Sequence, residues 1–135
     1  MKKYAGLTLM ELLIAMLIVS ILAVIAAELY SSQLYASRRT DGINTLYSIS
    51  AAEERYRTTN TTYGTLAQVW NSVAVSTGGY YTLAITTNTA SNYTITATAT
   101  GTQVKDKENG TSCATLTLTN VSGTITETPT ACWPS

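Results

Sequence analysis

The sequence predicts an α+β fold. A long N-terminal α-helix, whose first half is apolar enough to cross a membrane, packs through its second half on an antiparallel β-sheet of about four strands with a C-terminal disulfide. Three observations carry that prediction. Residues 7–27 read LTLMELLIAMLIVSILAVIAA, with Glu11 as the only charge. Beyond Glu28 apolar residues recur every three or four positions, and after Gly78-Gly79 the apolar period changes to two. Two cysteines lie late in the chain. A length of 135 residues suits one domain, and the first 27 residues cannot contribute to an ordinary soluble core.

The N-terminal element comes first. A helix of 21 residues is about 31 Å long, the hydrocarbon thickness of a bilayer. A secretory signal peptide has a shorter apolar core followed by a small-residue cleavage site, whereas here Ala23 to Ala27 leads straight into more helix. The segment therefore reads as a retained anchor. Lys2 and Lys3 mark its cytoplasmic end, which places residues after about 28 outside the cytoplasm. Glu11 does not fit a plain anchor, because a carboxylate at the centre of a spanning helix costs up to about 3 kcal/mol and somewhat less near an end. Either it snorkels to the cytoplasmic headgroups, or it has a functional partner.

From Glu28 the helix turns amphipathic. Ile43, Leu46, Ile49, Ala52 and Tyr56 form a stripe, with Tyr47 alongside, and Arg38, Arg39, Asp41, Glu53, Glu54 and Arg57 take the other positions. One helix to about residue 57 is the economical reading, with Gly42 marking a bend at a propensity cost of about 1 kcal/mol. Residues 58–79 are polar and rich in turn formers, with a helical turn around Leu66 to Trp70. Trp70 is expected to anchor that loop by packing. YYTLAITT then places Tyr81, Leu83 and Ile85 on one face, and NYTITATAT places Tyr93, Ile95, Ala97 and Ala99 opposite four threonines. CATLTLT offers Ala114, Leu116 and Leu118, and TNVSGTIT suggests a turn and a short fourth strand around Thr124 to Thr126. These are half-buried antiparallel strands with threonines outward. The charged run KDKENG becomes a solvated hairpin tip between the second and third strands.

Charge and composition narrow the function. Eight basic side chains balance eight acidic ones, and residues 58–135 hold Lys105 and Lys107 against Asp106, Glu108 and Glu127. That is a poor electrostatic footprint for DNA. Histidine is absent, and no nucleophile and base pair up in the sequence, so catalysis is not expected and no cofactor is implied. Asp106, Glu108 and Asn109 are oxygen donors of the kind calcium prefers, but the interleaved Lys105 and Lys107 argue against a metal there. Four Asn-X-Ser/Thr matches, at Asn60, Asn92, Asn109 and Asn120, are expected by chance in so Asn- and Thr-rich a chain. Following an export-like segment, Cys113 and Cys132 read as a disulfide rather than as unrelated buried thiols. A closed loop of about 20 residues stabilises by roughly 3 kcal/mol in the chain-entropy account.

The stretch AGLTLMELLIAMLIVSILAVIAAELY resembles the class III signal of type IV prepilins: a short basic leader ending in Gly6, the Thr8-Leu9 pair, Glu11 as the fifth residue after the cut, and an uninterrupted apolar run. The resemblance implies cleavage by prepilin peptidase between Gly6 and Leu7 and N-methylation of Leu7. It also implies a role for Glu11, which would neutralise the N-terminal amine of a neighbouring subunit as helices pack into a filament, since two charges costly alone in an apolar medium become tolerable when paired. Three residues depart from the pattern. Leu7 stands where phenylalanine is usual, Ser20 where glycine is common, and Glu28 where many type IV pilins have proline. Without that proline the helix has less reason to break, so it is expected to be more continuous than in pilins that carry it.

The stretch from YYTLAI through CATLTL to ACW further resembles PilE-type minor pilins, in which a cysteine opens the last long strand and another precedes a near-terminal tryptophan. The implied organisation is a leader at 1–6, a helix at 7–57 whose 7–30 half serves membrane and filament core, a connecting loop at 58–79, and a sheet at 80–135 with a region bracketed by Cys113 and Cys132. The implied protein is a single-pass inner-membrane precursor with its C-terminus in the periplasm. It would assemble through an inner-membrane platform with other pilin subunits into an extracellular pilus for twitching, adhesion or DNA uptake. A type II secretion pseudopilin and a DNA-binding competence pilin, with Lys105, Lys107 and exposed arginines on phosphates, are the alternatives.

Overall fold

The computed structural model describes residues 8–134. It divides into two compact units, Met1–Leu34 and Tyr35–Ser135. Among the described residues, a single helix, α1 (Leu9–Arg57), supplies the regular structure of the first unit and the opening element of the second.

In the first unit Thr8 opens α1, with its hydroxyl and carbonyl both accepting the Glu11 N–H, at 3.2 and 3.1 Å. Leu9, Met16 and Leu17 are 79%, 72% and 59% exposed, so this stretch has no protein cover within the chain. It is long and apolar enough to span a membrane. The helix continues through both Ser20 and Glu28, where the Ser20 and Ser31 hydroxyls bond back to the carbonyls of Leu17 and Glu28.

The second unit holds the sheet. After α1 come a short helix α2 (Leu66–Trp70) and the strands β1 (Tyr81–Asn88), β2 (Asn92–Ala99), β3 (Lys107–Glu108), β4 (Thr111–Ser112), β5 (Thr115–Val121) and β6 (Thr124–Thr128). The main sheet is antiparallel in the order β1-β2-β5-β6, and β3-β4 form a separate two-residue hairpin between β2 and β5. Ile95 pairs with Ile85 on one side and Leu118 on the other, and Ala97 with Leu83 and Leu116, so the apolar rows of three strands align. Alternation fixes that register, because a slip by one residue would turn each row to solvent. Tyr81, Leu83, Tyr93, Ile95, Ala97, Leu116 and Leu118 are buried beneath Ile43, Leu46 and Ile49 of α1. Burying each of the larger aliphatic side chains contributes roughly 1.5–3 kcal/mol. Trp70 packs half-buried against this core, and the opposite sheet face carries the threonines.

Three expectations about the helix and its partner loop are corrected. Arg39 and Glu53, placed off the apolar stripe of an amphipathic helix, are nevertheless 7% and 0% exposed. Gly42, read as a bend, is required by close approach: a Cβ there would lie 2.9 Å from Cδ2 of the buried Tyr81 ring. KDKENG is a solvated tip only in part, since Asp106 within it is 1% exposed while Lys105, Lys107 and Asn109 are exposed. The errors share an origin, in that a local pattern registers which residues are apolar but not which distant group a given residue meets.

Candidate functional site

Gly6 and Leu7, the expected cleavage and methylation positions, lie outside the described residues. Glu11 stands exposed in the first turn of α1, with no ion-pair partner among the described residues. Cys113 and Cys132 form the disulfide, with Cα atoms 5.7 Å apart, and both are buried. It fastens the start of β5 to a 3-10 turn at Thr130–Cys132, where the chain nears its end.

Beside the disulfide is a charged centre. The Arg39 guanidinium donates from Nε to Oδ2 of Asp106 at 2.8 Å and from Nη2 to Oδ1 at 3.0 Å, a two-pronged fit to one carboxylate. Nη2 also donates to Oε2 of Glu108 at 2.9 Å, and Nη1 to the Cys132 carbonyl at 3.4 Å. Burial works against the Arg39 charge, but its hydrogen bonds to Asp106 and Glu108 outweigh burial and hold its pKa above the ordinary value. Gln103 completes the centre: its Nε2 lies 3.0 Å from the Tyr35 carbonyl, 3.1 Å from the Tyr81 hydroxyl and 3.2 Å from Oδ2 of Asp106. A groove of about 590 Å³ opens alongside, between α1, the β3-β4 hairpin and the C-terminal turn. On its wall Tyr47 meets Trp133 edge-on at 5.7 Å and donates its hydroxyl to Glu127; that bond, with burial, pushes the Tyr47 pKa up to about 12.

Charge in the second unit is sorted by engagement. Each of its six carboxylates is engaged within the protein. Asp41 accepts from Gly78 N–H, Glu53 from Gly64 N–H, Glu54 from Asn120 and Tyr63, Asp106 and Glu108 from Arg39, and Glu127 from Tyr47. Lys105, Lys107 and Arg55 are exposed and make no side-chain hydrogen bond among the described residues. Arg38 is half-buried, its guanidinium 4.7 Å over the Tyr80 ring and 3.3 Å from the Thr102 hydroxyl. Through Thr102, Arg38 contacts the 3-10 turn Gly101–Lys105, which carries Lys105 and leads into β3 with Lys107.

Sequence reasoning named Lys105 and Lys107 but missed Arg39, Gln103 and Asp106 as one centre. A signal was present: Asp106 sits between two lysines in a segment that must turn back beside a buried disulfide, and a carboxylate shut in there needs a cation from elsewhere.

Two family matches agree with this architecture. The family described as "Prokaryotic N-terminal methylation motif" matches residues 1–27. The family described as "Type IV minor pilin ComP, DNA uptake sequence receptor" matches residues 29–117, well over half of the chain, from the end of the apolar segment into β5. No curated protein matches the chain. An apolar helix behind a methylation signal, an antiparallel four-stranded sheet and a C-terminal disulfide are the parts of a subunit held in a membrane until it joins other pilins in a filament, and the chain belongs to the type IV minor pilin ComP family.

Proposed function

We propose that this minor pilin captures duplex DNA for uptake at the corner formed by Arg38, Lys105 and Lys107. The observation that carries the reading is the sorting of charge. The second unit keeps its six carboxylates engaged within the protein and leaves Lys105 and Lys107 uncovered, so this corner is more basic than the composition of the chain. The description of the matched family as a DNA uptake sequence receptor supports the same reading and favours a pilus over a secretion pseudopilin. Phosphate contacts from such side chains give affinity and register.

Maturation belongs to the proposal. Prepilin peptidase cuts between Gly6 and Leu7 and Leu7 is N-methylated. The precursor waits in the inner membrane with its C-terminus in the periplasm, and an inner-membrane platform feeds it into the extracellular pilus. Glu11 pairs there with the N-terminal amine of a neighbouring subunit, so that orientation and register follow from one contact.

The test is DNA binding by the mature full chain in detergent micelles, read as affinity for a short fluorescent duplex over a salt series. Each lysine–phosphate contact contributes about −0.9 to the slope of log affinity against log salt, so Lys105→Gln/Lys107→Gln should flatten it by nearly 2. An unchanged slope in that variant would remove DNA from this corner. Mass spectrometry of sheared filaments should find the chain beginning at N-methyl-Leu7, and Glu11→Val should leave membrane insertion intact while lowering its abundance in filaments.

A further inference from the structure

The segment Lys105-Asp106-Lys107-Glu108 is neutral by count. In solution its two carboxylates would lie beside its two ammonium groups, and a carboxylate within a few ångströms of a lysine competes with phosphate for the same charge. The fold prevents that competition. Asp106 is turned inward onto the Nε and Nη2 of Arg39, and the half-exposed Glu108 is drawn to the same Nη2. Lys105 and Lys107 alternate with these acids and face solvent. The backbone beneath them is held as well, since the Cys113 N–H donates to the Asp106 carbonyl at 3.0 Å and Gln103 ties the preceding turn to α1 through the Tyr35 carbonyl.

We propose that Arg39 is the positioning residue for DNA-backbone binding: by holding both carboxylates of this segment it leaves Lys105 and Lys107 as a pre-arranged cationic pair with no salt-bridge partner among the described residues. The inference rests on the DNA-capture reading above, and goes beyond it by assigning the corner's positive character to a residue that touches no DNA. Pre-arrangement matters because a ligand that must first displace two internal ion pairs binds with less net gain.

Arg39→Gln alone leaves Asp106 buried without a cation, so the informative variant is Arg39→Gln/Asp106→Asn, which replaces the buried pair with neutral side chains that still hydrogen-bond and releases Glu108 alone. With the mature full chain and the same duplex, its salt slope should flatten by about 1, as one lysine becomes occupied by Glu108. Adding Glu108→Gln should restore the parent slope, a recovery that a purely structural role for Arg39 does not produce. If the double variant binds like the parent while Lys105→Gln/Lys107→Gln is weakened, the role of Arg39 is overturned and the DNA corner stands. If the lysine variant also binds like the parent, both fall.

Discussion

Asp106 and Glu53 are equally removed from water, at 1% and 0% exposure, yet the fold provides for them differently. Asp106 receives two bonds from Arg39 and one from Gln103. Glu53 receives one backbone N–H, from Gly64 at 2.7 Å, and its Oε1 is buried with no hydrogen-bond partner among the described residues. The two ends of the helix–sheet packing thus handle a buried carboxylate oppositely. One is compensated and couples α1 to the C-terminal turn; the other is left short and holds the connecting loop near α2. Compensation makes a centre costly to break, whereas a deficit makes a group cheap to neutralise.

The largest effect should come from breaking the compensated end. Arg39→Ala leaves the Asp106 charge buried and unpaired and is expected to lower stability by about 3–5 kcal/mol, measured by chemical denaturation of the mature chain. A loss no greater than that of an exposed substitution would mean that Asp106 is relieved by something other than Arg39. Next in size is Cys113→Ala/Cys132→Ala, which unties the turn that places the Cys132 carbonyl against Arg39, at about 3 kcal/mol. If the comparison holds, its cost and that of Arg39→Ala will not add, because neighbouring sites share the same contacts.

The smallest effect, and of opposite sign, belongs to the deficient end. Burial raises the Glu53 pKa, the Gly64 hydrogen bond opposes the rise, and the neighbouring Glu54 charge adds to it. The folded state therefore favours the protonated form. Its contribution to stability is complete below the unfolded value of about 4.3 and is lost as pH rises through the higher folded value. Glu53→Gln keeps an acceptor for Gly64 and should raise the unfolding midpoint slightly at neutral pH while flattening that part of the pH profile. A lower midpoint at neutral pH would show that the carboxylate charge is wanted there.

The same contrast explains what could be read in advance. Local periodicity exposed the apolar anchor, the stripe Ile43, Leu46, Ile49 and Ala52, and the alternation in β1, β2 and β5, since each depends on burial of apolar side chains at a fixed spacing. The disulfide was legible from two late cysteines behind an export-like segment. Arg39 and Glu53 were not, because a charged side chain on a helix looks solvated until the acid or N–H that meets it is known, and Asp106 lies 67 positions from Arg39 in the chain. Gly42 was misread for the same reason. Its cause is the ring of Tyr81, which arrives with β1.

Sorting charge by engagement also separates two quantities often treated as one, net charge and adsorption. Without Lys2 and Lys3 of the leader, six basic side chains stand against eight acidic ones, and a protein of that balance with an even surface would pass through a cation exchanger at neutral pH. Here Lys105, Lys107 and Arg55 stand exposed without a side-chain partner among the described residues while the six carboxylates of the second unit are engaged, so retention is governed by a patch. The mature chain in neutral detergent should hold to a cation-exchange resin and elute early in a salt gradient, behaving on the column as a more basic protein than its composition describes.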